Sequence, residues 1–238
     1  MPELTIYDDI GFGGVTGAHV SRAVSNMKSA NSLDLRINSP GGDVFEGVAI
    51  YEALQRFNGR IVAHIDGLAA SAASFIAMAA DEIRIAPMGF VMVHEAHGAV
   101  LGRSTDMRKA AETLDKISNR IAETYAARTG LSHAEAIALM NAETWFDADE
   151  AIATGFADKL TEDAKRKPTA QFDPALHQFK NMPPAAKRLL NSGGDTKVQP
   201  KTRHDHMRRL RQRVRVKAAA ESWGNPSAFL RRSVNRKR

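Results

Sequence analysis

Between residues 33 and 93, short aliphatic runs alternate with helix-spaced segments. That alternation narrows the chain to a layered α/β fold with a largely parallel sheet. Leu33–Ile37 alternates in the manner of a strand and runs into the breaker cluster Asn38-Ser39-Pro40-Gly41-Gly42. Val44, Val48, Tyr51 and Leu54 then share one face of a helix predicted to reach Phe57. Arg60–Ile65 reads as a second strand ending at Asp66-Gly67, and the small-residue stretch Ala70–Ala80 follows as a helix. Ile83–Ile85 and Val91–Val93 are two more short strands around Pro87-Met88-Gly89. Ahead of this core, Leu4–Tyr7 is strand-like, and Val15, Val20, Val24 and Met27 fall at helical spacing.

After it, Thr105–Ala127 is predicted as a long amphipathic helix carrying Met107, Ala111, Leu114, Ile117 or Ile121, and Tyr125 on its apolar side. Ser132 with Glu135 is a capping-box pair before Ala134–Met140. Asp147 with Glu150 repeats the device, and Gly155 closes that helix. Phe156–Leu160 ends the compact region. Charge then changes sign. Residues 1–164 hold 13 Lys+Arg against 23 Asp+Glu, a net −10, whereas residues 165–238 hold 20 against 4, a net +16. Two parts follow: a domain over 1–164 and a basic extension over 165–238. Pro168, Pro174, Pro183-Pro184, Ser192-Gly193-Gly194 and Pro200 punctuate the extension, which is expected to be largely extended or disordered. Met207, Leu210, Val214 and Ala218 would stripe one basic helix within it.

Several chemistries drop out early. The chain has no cysteine, which removes disulfides, thiolate catalysis and cysteine metal sites. Its most apolar stretch, residues 61–80, is interrupted by His64, Asp66 and two serines, too polar for a membrane span. The first ten residues have neither a basic nor an apolar segment of a secretory signal, so a cytoplasmic location is the default. His94 and His97 form H-E-A-H, but the spacing is wrong for a zinc helix and the segment reads as strand then loop, so no metal is expected. No feature calls for a cofactor.

Ser71 follows Gly67-Leu68-Ala69-Ala70, where a strand turns into a helix among small neighbours. On position alone it reads first as the cap of a buried helix. The same position would also suit a nucleophile, since free amides at a helix start favour developing negative charge.

Four segments in order tip that balance. Ile37-Asn38-Ser39-Pro40-Gly41-Gly42 resembles the glycine turn of ClpP-family serine peptidases, and Gly67–Ser71 resembles their nucleophile motif. Val91-Met92-Val93-His94 is similar to the strand that delivers their histidine. Glu150–Asp158 is similar to the segment after their catalytic acid. The surrounding wording resembles the ClpP-like head maturation proteases of tailed bacteriophages. The resemblance implies repeated βα units of the ClpP/crotonase type with a protruding handle helix at Thr105–Ala127. It implies Ser71 as nucleophile, His94 as general base and the amides of Gly42 and Ala72 as oxyanion donors. It places the acid at Glu143, where the family has aspartate, with Asp147 and Asp149 as rivals.

The implied activity is a serine endopeptidase in a homo-oligomeric ring, processing capsid or scaffold proteins in host cytoplasm or an assembling phage head. A housekeeping Clp subunit degrading unfolded proteins is the alternative. The segment before the glycine turn lacks the family's axial loops, so an unfoldase ATPase partner is not implied. A crotonase-like acyl-CoA enzyme, a non-catalytic assembly module and a serine–lysine dyad using Lys109 stay open beside it. The extension reads equally as a solvated tail or an assembly segment. Its charge also allows nonspecific contact with nucleic acid, and it offers exposed chain for self-cleavage.

Overall fold

Alternation in β2 (Ser32–Ser39) puts Leu33, Leu35 and Ile37 on one face, where all three are fully buried. β2 runs parallel to β1 (Glu3–Ile6) on one side and to β3 (Arg60–Ala70) on the other. The computed structural model describes residues 1–161 apart from Phe12 and Lys28, together with His177 and residues 179–191.

β3 takes two partners in turn along its second edge. β4 (Glu82–Ile85) pairs with Val62–Ile65, and β5 (Phe90–Val93) pairs with Leu68–Ala70, both parallel. β6 (Thr144–Phe146) joins β5 antiparallel, and β7 (Lys159–Leu160) extends the sheet from β4. The strand expected to stop at Ile65 therefore continues through Asp66-Gly67. It can do so because the β2 register shifts between Ile37 and Ser39, and Asn38 Oδ1 accepts from the Leu68 amide at 3.0 Å, filling the gap in the ladder. The following helix, α3 (Ala72–Ala77), is correspondingly shorter than the expected Ala70–Ala80.

α1 (Gly17–Asn26) and α2 (Val44–Gln55) begin at the caps Thr16 and Asp43. With α3 they bury Val20, Val24, Ile50, Leu54 and Ile76 against the sheet in one apolar cluster. Each such side chain contributes about 1.5–3 kcal/mol by leaving water. α4 (Ser104–Thr129) is 26 residues long and buries Ser118, Ile121, Ala122 and Tyr125, all in its second half. Its first half is open, with Met107 48% exposed. α5 (His133–Asn141) and α6 (Ala148–Ala153) carry the capping boxes read from Ser132/Glu135 and Asp147/Glu150. Among the described residues no helix is long and apolar enough to cross a membrane.

The other face of the sheet is divided. At one end it is a lattice of ion pairs and hydrogen bonds: Arg36 with Asp66 and Tyr7, and His64 with Asp34 at 2.9 Å. Glu82 there lies between Arg60, Arg84 and Lys159 at 2.6, 2.6 and 2.9 Å. Lys159 and Arg84, ahead of Arg60, hold the Glu82 carboxyl down to about 2.

Toward the carboxyl ends of β3 and β5 the same face turns apolar, with Leu68, Ala70, Phe90 and Met92 buried. That patch is covered by residues from beyond 164. Phe179, Met182, Ala185 and Ala186 pack on it, the last two from α7 (Pro184–Asn191). Pro183-Pro184, read in the sequence as punctuation, instead opens this helix, for proline's fixed φ and missing N–H suit a first helical position. The helix expected over Met207–Ala218, the self-cleavage and nucleic-acid contact, and most of the disorder expected of the extension lie outside the described residues.

Candidate active site

The candidate nucleophile sits on strained backbone. Among the described residues the non-glycine positions with positive φ are Ser71 (φ 56°) and Glu143 (φ 49°). A side chain on left-handed backbone costs free energy and persists only where its surroundings enforce it. At Ser71 the enforcement is visible. Its amide donates to Met92 O at 2.9 Å, and its carbonyl accepts from the Ser74 hydroxyl at 2.7 Å. Ser74, fully buried, also donates to Met92 O and shares a hydrogen bond with the Tyr125 hydroxyl, each at 2.8 Å. Ser71 Oγ caps no helix amide, although the residue occupies the cap position of α3. It is paired with His94 Nε2 at 2.7 Å.

That pairing follows from strand register. Ala70 lies opposite Met92 in the parallel β3–β5 pair, so Ser71 and His94 leave the sheet at neighbouring points. The His94 imidazole is pushed down to about 4, chiefly by burial and next by the positive charge His97 would carry. Lys180 acts in the same sense and the Glu143 carboxylate against it. His97 meets His94 edge to face, ring centroids 4.8 Å apart. The imidazole is therefore neutral at pH 7, the form able to accept a proton.

The carboxylate of Glu143 lies near enough to raise the His94 basicity, and the two share no hydrogen bond among the described residues. Its oxygens are held elsewhere. Oε1 accepts from the Asn181 amide at 2.7 Å and the Trp145 indole at 3.3 Å, and Oε2 accepts from the Lys180 amide at 3.0 Å. Burial works to raise this carboxyl, but the Asn181 and Lys180 amides, with the Trp145 indole and a His94 charge after them, outweigh it and leave it below the ordinary glutamate range. Its rivals are placed differently. Asp147 caps α6, accepting from the Glu150 amide at 2.9 Å, and Asp149 is exposed in the first turn. Lys109 is exposed on the open half of α4.

The glycine turn abuts the serine. A Cβ on Gly41 would stand 2.7 Å from Ser71 Cβ and 3.0 Å from the Ala72 amide nitrogen, a contact no larger residue permits. The Gly41 amide is used by Ser39 Oγ and that of Asp43 by the Ile10 carbonyl, while among the described residues the Gly42 amide has no such acceptor. Ala72 is the first residue of α3, and its amide has no intrahelical partner.

Sequence reasoning passed over the residues that hold this arrangement. Asn38 and Ser39 looked like turn formers but are buried and tie the glycine turn to β3 and to Asp8 O. Two polar residues directly after an aliphatic run were the available signal. Lys180 and Asn181 gave none, since their partner lies 37 and 38 residues away.

The fold agrees with what the chain resembles by sequence. Residues 22–164 match the family described as Clp protease. The ATP-dependent Clp protease proteolytic subunit 1 of Leifsonia xyli subsp. xyli (strain CTCB07) is 33% identical over 138 residues, covering 57% of this chain and 70% of that protein. The chain belongs to the Clp protease family, and that membership supports a serine-type peptidase.

Proposed function

We propose that the protein is a serine endopeptidase in which Ser71, His94 and Glu143 form the catalytic triad and the amides of Gly42 and Ala72 the oxyanion hole. The observation that carries this reading is the 2.7 Å contact between Ser71 Oγ and His94 Nε2 on strained backbone. His94 Nε2 takes the hydroxyl proton as Oγ attacks the peptide carbonyl carbon. The carbonyl oxygen becomes an oxyanion between the two amides, where preorganised donors lower the barrier. The imidazolium, stabilised by the Glu143 charge, then protonates the leaving amine. Water, deprotonated by His94, releases the acyl group from Ser71.

Ser71→Ala and His94→Ala are each expected to reduce peptide hydrolysis on the order of 10⁴-fold or more with the fold intact. Fluorophosphonate should label the parent protein and neither variant. Turnover by Ser71→Ala within tenfold of the parent would falsify the assignment.

For the substrate, we read the chain as a processing protease acting on capsid or scaffold proteins during virion assembly, on the resemblance of its motif wording to head maturation proteases. The name of the Leifsonia relative favours a second reading, a proteolytic subunit that works with an ATP-dependent partner. Incubation with an assembled scaffold substrate in the absence of nucleotide separates them. Discrete cuts support processing, and inertness relieved only by an unfoldase supports the second.

A further inference from the structure

We propose that residues 179–186, at the start of what the charge step marks as an extension, form a strap that positions the acid of the triad. The inference rests on the reading of Ser71, His94 and Glu143 given above. Three observations converge on it. The Lys180 and Asn181 amides occupy one oxygen each of the Glu143 carboxylate, and Asn181 Nδ2 donates to the neighbouring Ala142 carbonyl at 2.9 Å. Phe179 packs edge to face on Trp145, centroids 5.2 Å apart, and Trp145 is the third donor to the same carboxylate. On either side the strap is moored. His177 Nε2 meets Asp9 Oδ1 at 2.6 Å, and Ala186, 1% exposed, sits in the apolar patch of Leu68, Ala70, Phe90 and Met92.

The chemistry of the clamp suits a positioning role. Glu143 has left-handed backbone, so its own chain does not hold the carboxylate in place cheaply. A carboxylate has about four lone-pair directions, and three donors leave one for the imidazole N–H that develops charge in the reaction. Backbone amides are rigid donors that favour the ionised form without adding a competing proton. They thereby keep the acid charged and aimed when His94 becomes imidazolium. Lys180 and Asn181 are positioning residues in this sense, acting through Glu143 and not on substrate.

The test uses the full chain. Asn181→Pro removes one amide donor. Ala186→Asp introduces a charge into the apolar mooring without touching Glu143. Each is expected to lower kcat for a small peptide substrate roughly 10–100-fold with KM little changed, since mispositioning the acid costs less than removing it. The acid limb of kcat/KM should move to higher pH, because Glu143 loses a donor that holds it ionised.

The decisive measurement is the double-mutant cycle. Combined with Glu143→Ala, neither strap substitution should slow the reaction further. Additive losses, with thermal melting showing each variant folded, overturn the strap and leave it a packing element. Faster turnover in either strap variant also overturns it, making the segment an inhibitory lock. If a variant unfolds, the other carries the cycle. Fluorophosphonate labelling of the parent at Ser71 separates failure of the strap from failure of the triad.

Discussion

At Ser71 and Glu143 the chain accepts left-handed backbone that neither side chain favours. Both positions place a functional group at a point the regular sheet does not reach: one just past β3, the other just before β6. The rival acid can be told apart at this scale. Glu143→Gln is expected to cut kcat far more than Asp147→Asn, which loses at most about 1 kcal/mol of stability as a weakened helix cap. The opposite order in steady-state kinetics would move the acid to Asp147. His94 sets the pH response. Burial lowers its pKa from the ordinary 6.5 to about 4, so it remains neutral through mildly acid conditions. The fluorophosphonate reaction rate should accordingly be level from about pH 5.5 to 8 and half-lost near the value of about 4. Stability carries the same signature. The unfolded chain binds this proton near 6.5 and the folded one near 4, so stability falls as pH drops through that interval. The slope is at most about 1.4 kcal/mol per pH unit, and His94→Ala should flatten it in a series of thermal melts.

Among the elements, those with strong periodicity were legible and those defined by distant partners were not. α2, α4 and the strands β2, β4 and β5 fall within a residue or two of where aliphatic spacing puts them. The caps Ser132 and Asp147 are local features, and local rules found them. β6 escaped because it has three residues, too few to show alternation, and exists through its antiparallel partner β5. α7 escaped because Pro183-Pro184 was read as a break, while its contacts lie on a sheet face over ninety residues earlier in the chain. The serine and histidine that meet at 2.7 Å were named through their motifs, and the proposed acid Glu143 through its distance from Glu150-Ala151. The pieces that hold the acid were invisible, because nothing in residues 179–182 records which carboxylate they will meet. The reach of β3 past Asp66-Gly67 likewise depends on the Asn38 side chain of a neighbouring strand.

For the molecule as a whole, the open half of α4 is the outstanding surface feature, since half of a 26-residue helix stands clear of the core. We read it as the handle through which subunits meet, because Met107 and its neighbours gain by leaving water. Light scattering at micromolar concentration should find a multi-subunit particle, and Met107→Asp should reduce its mass. A strictly monomeric parent protein counts against the handle. The mooring of the acid by residues 180 and 181 has a further consequence, in time. A ribosome adds residues at about 5–20 per second, so a growing chain presents Ser71 and His94 roughly 4–17 seconds before the amides that steady Glu143 are made. Through that interval the nascent protein carries the proposed nucleophile and base without a fixed acid. If the strap steadies Glu143 as proposed, the full peptidase rate is reached only when synthesis is well past the domain that bears Ser71 and His94.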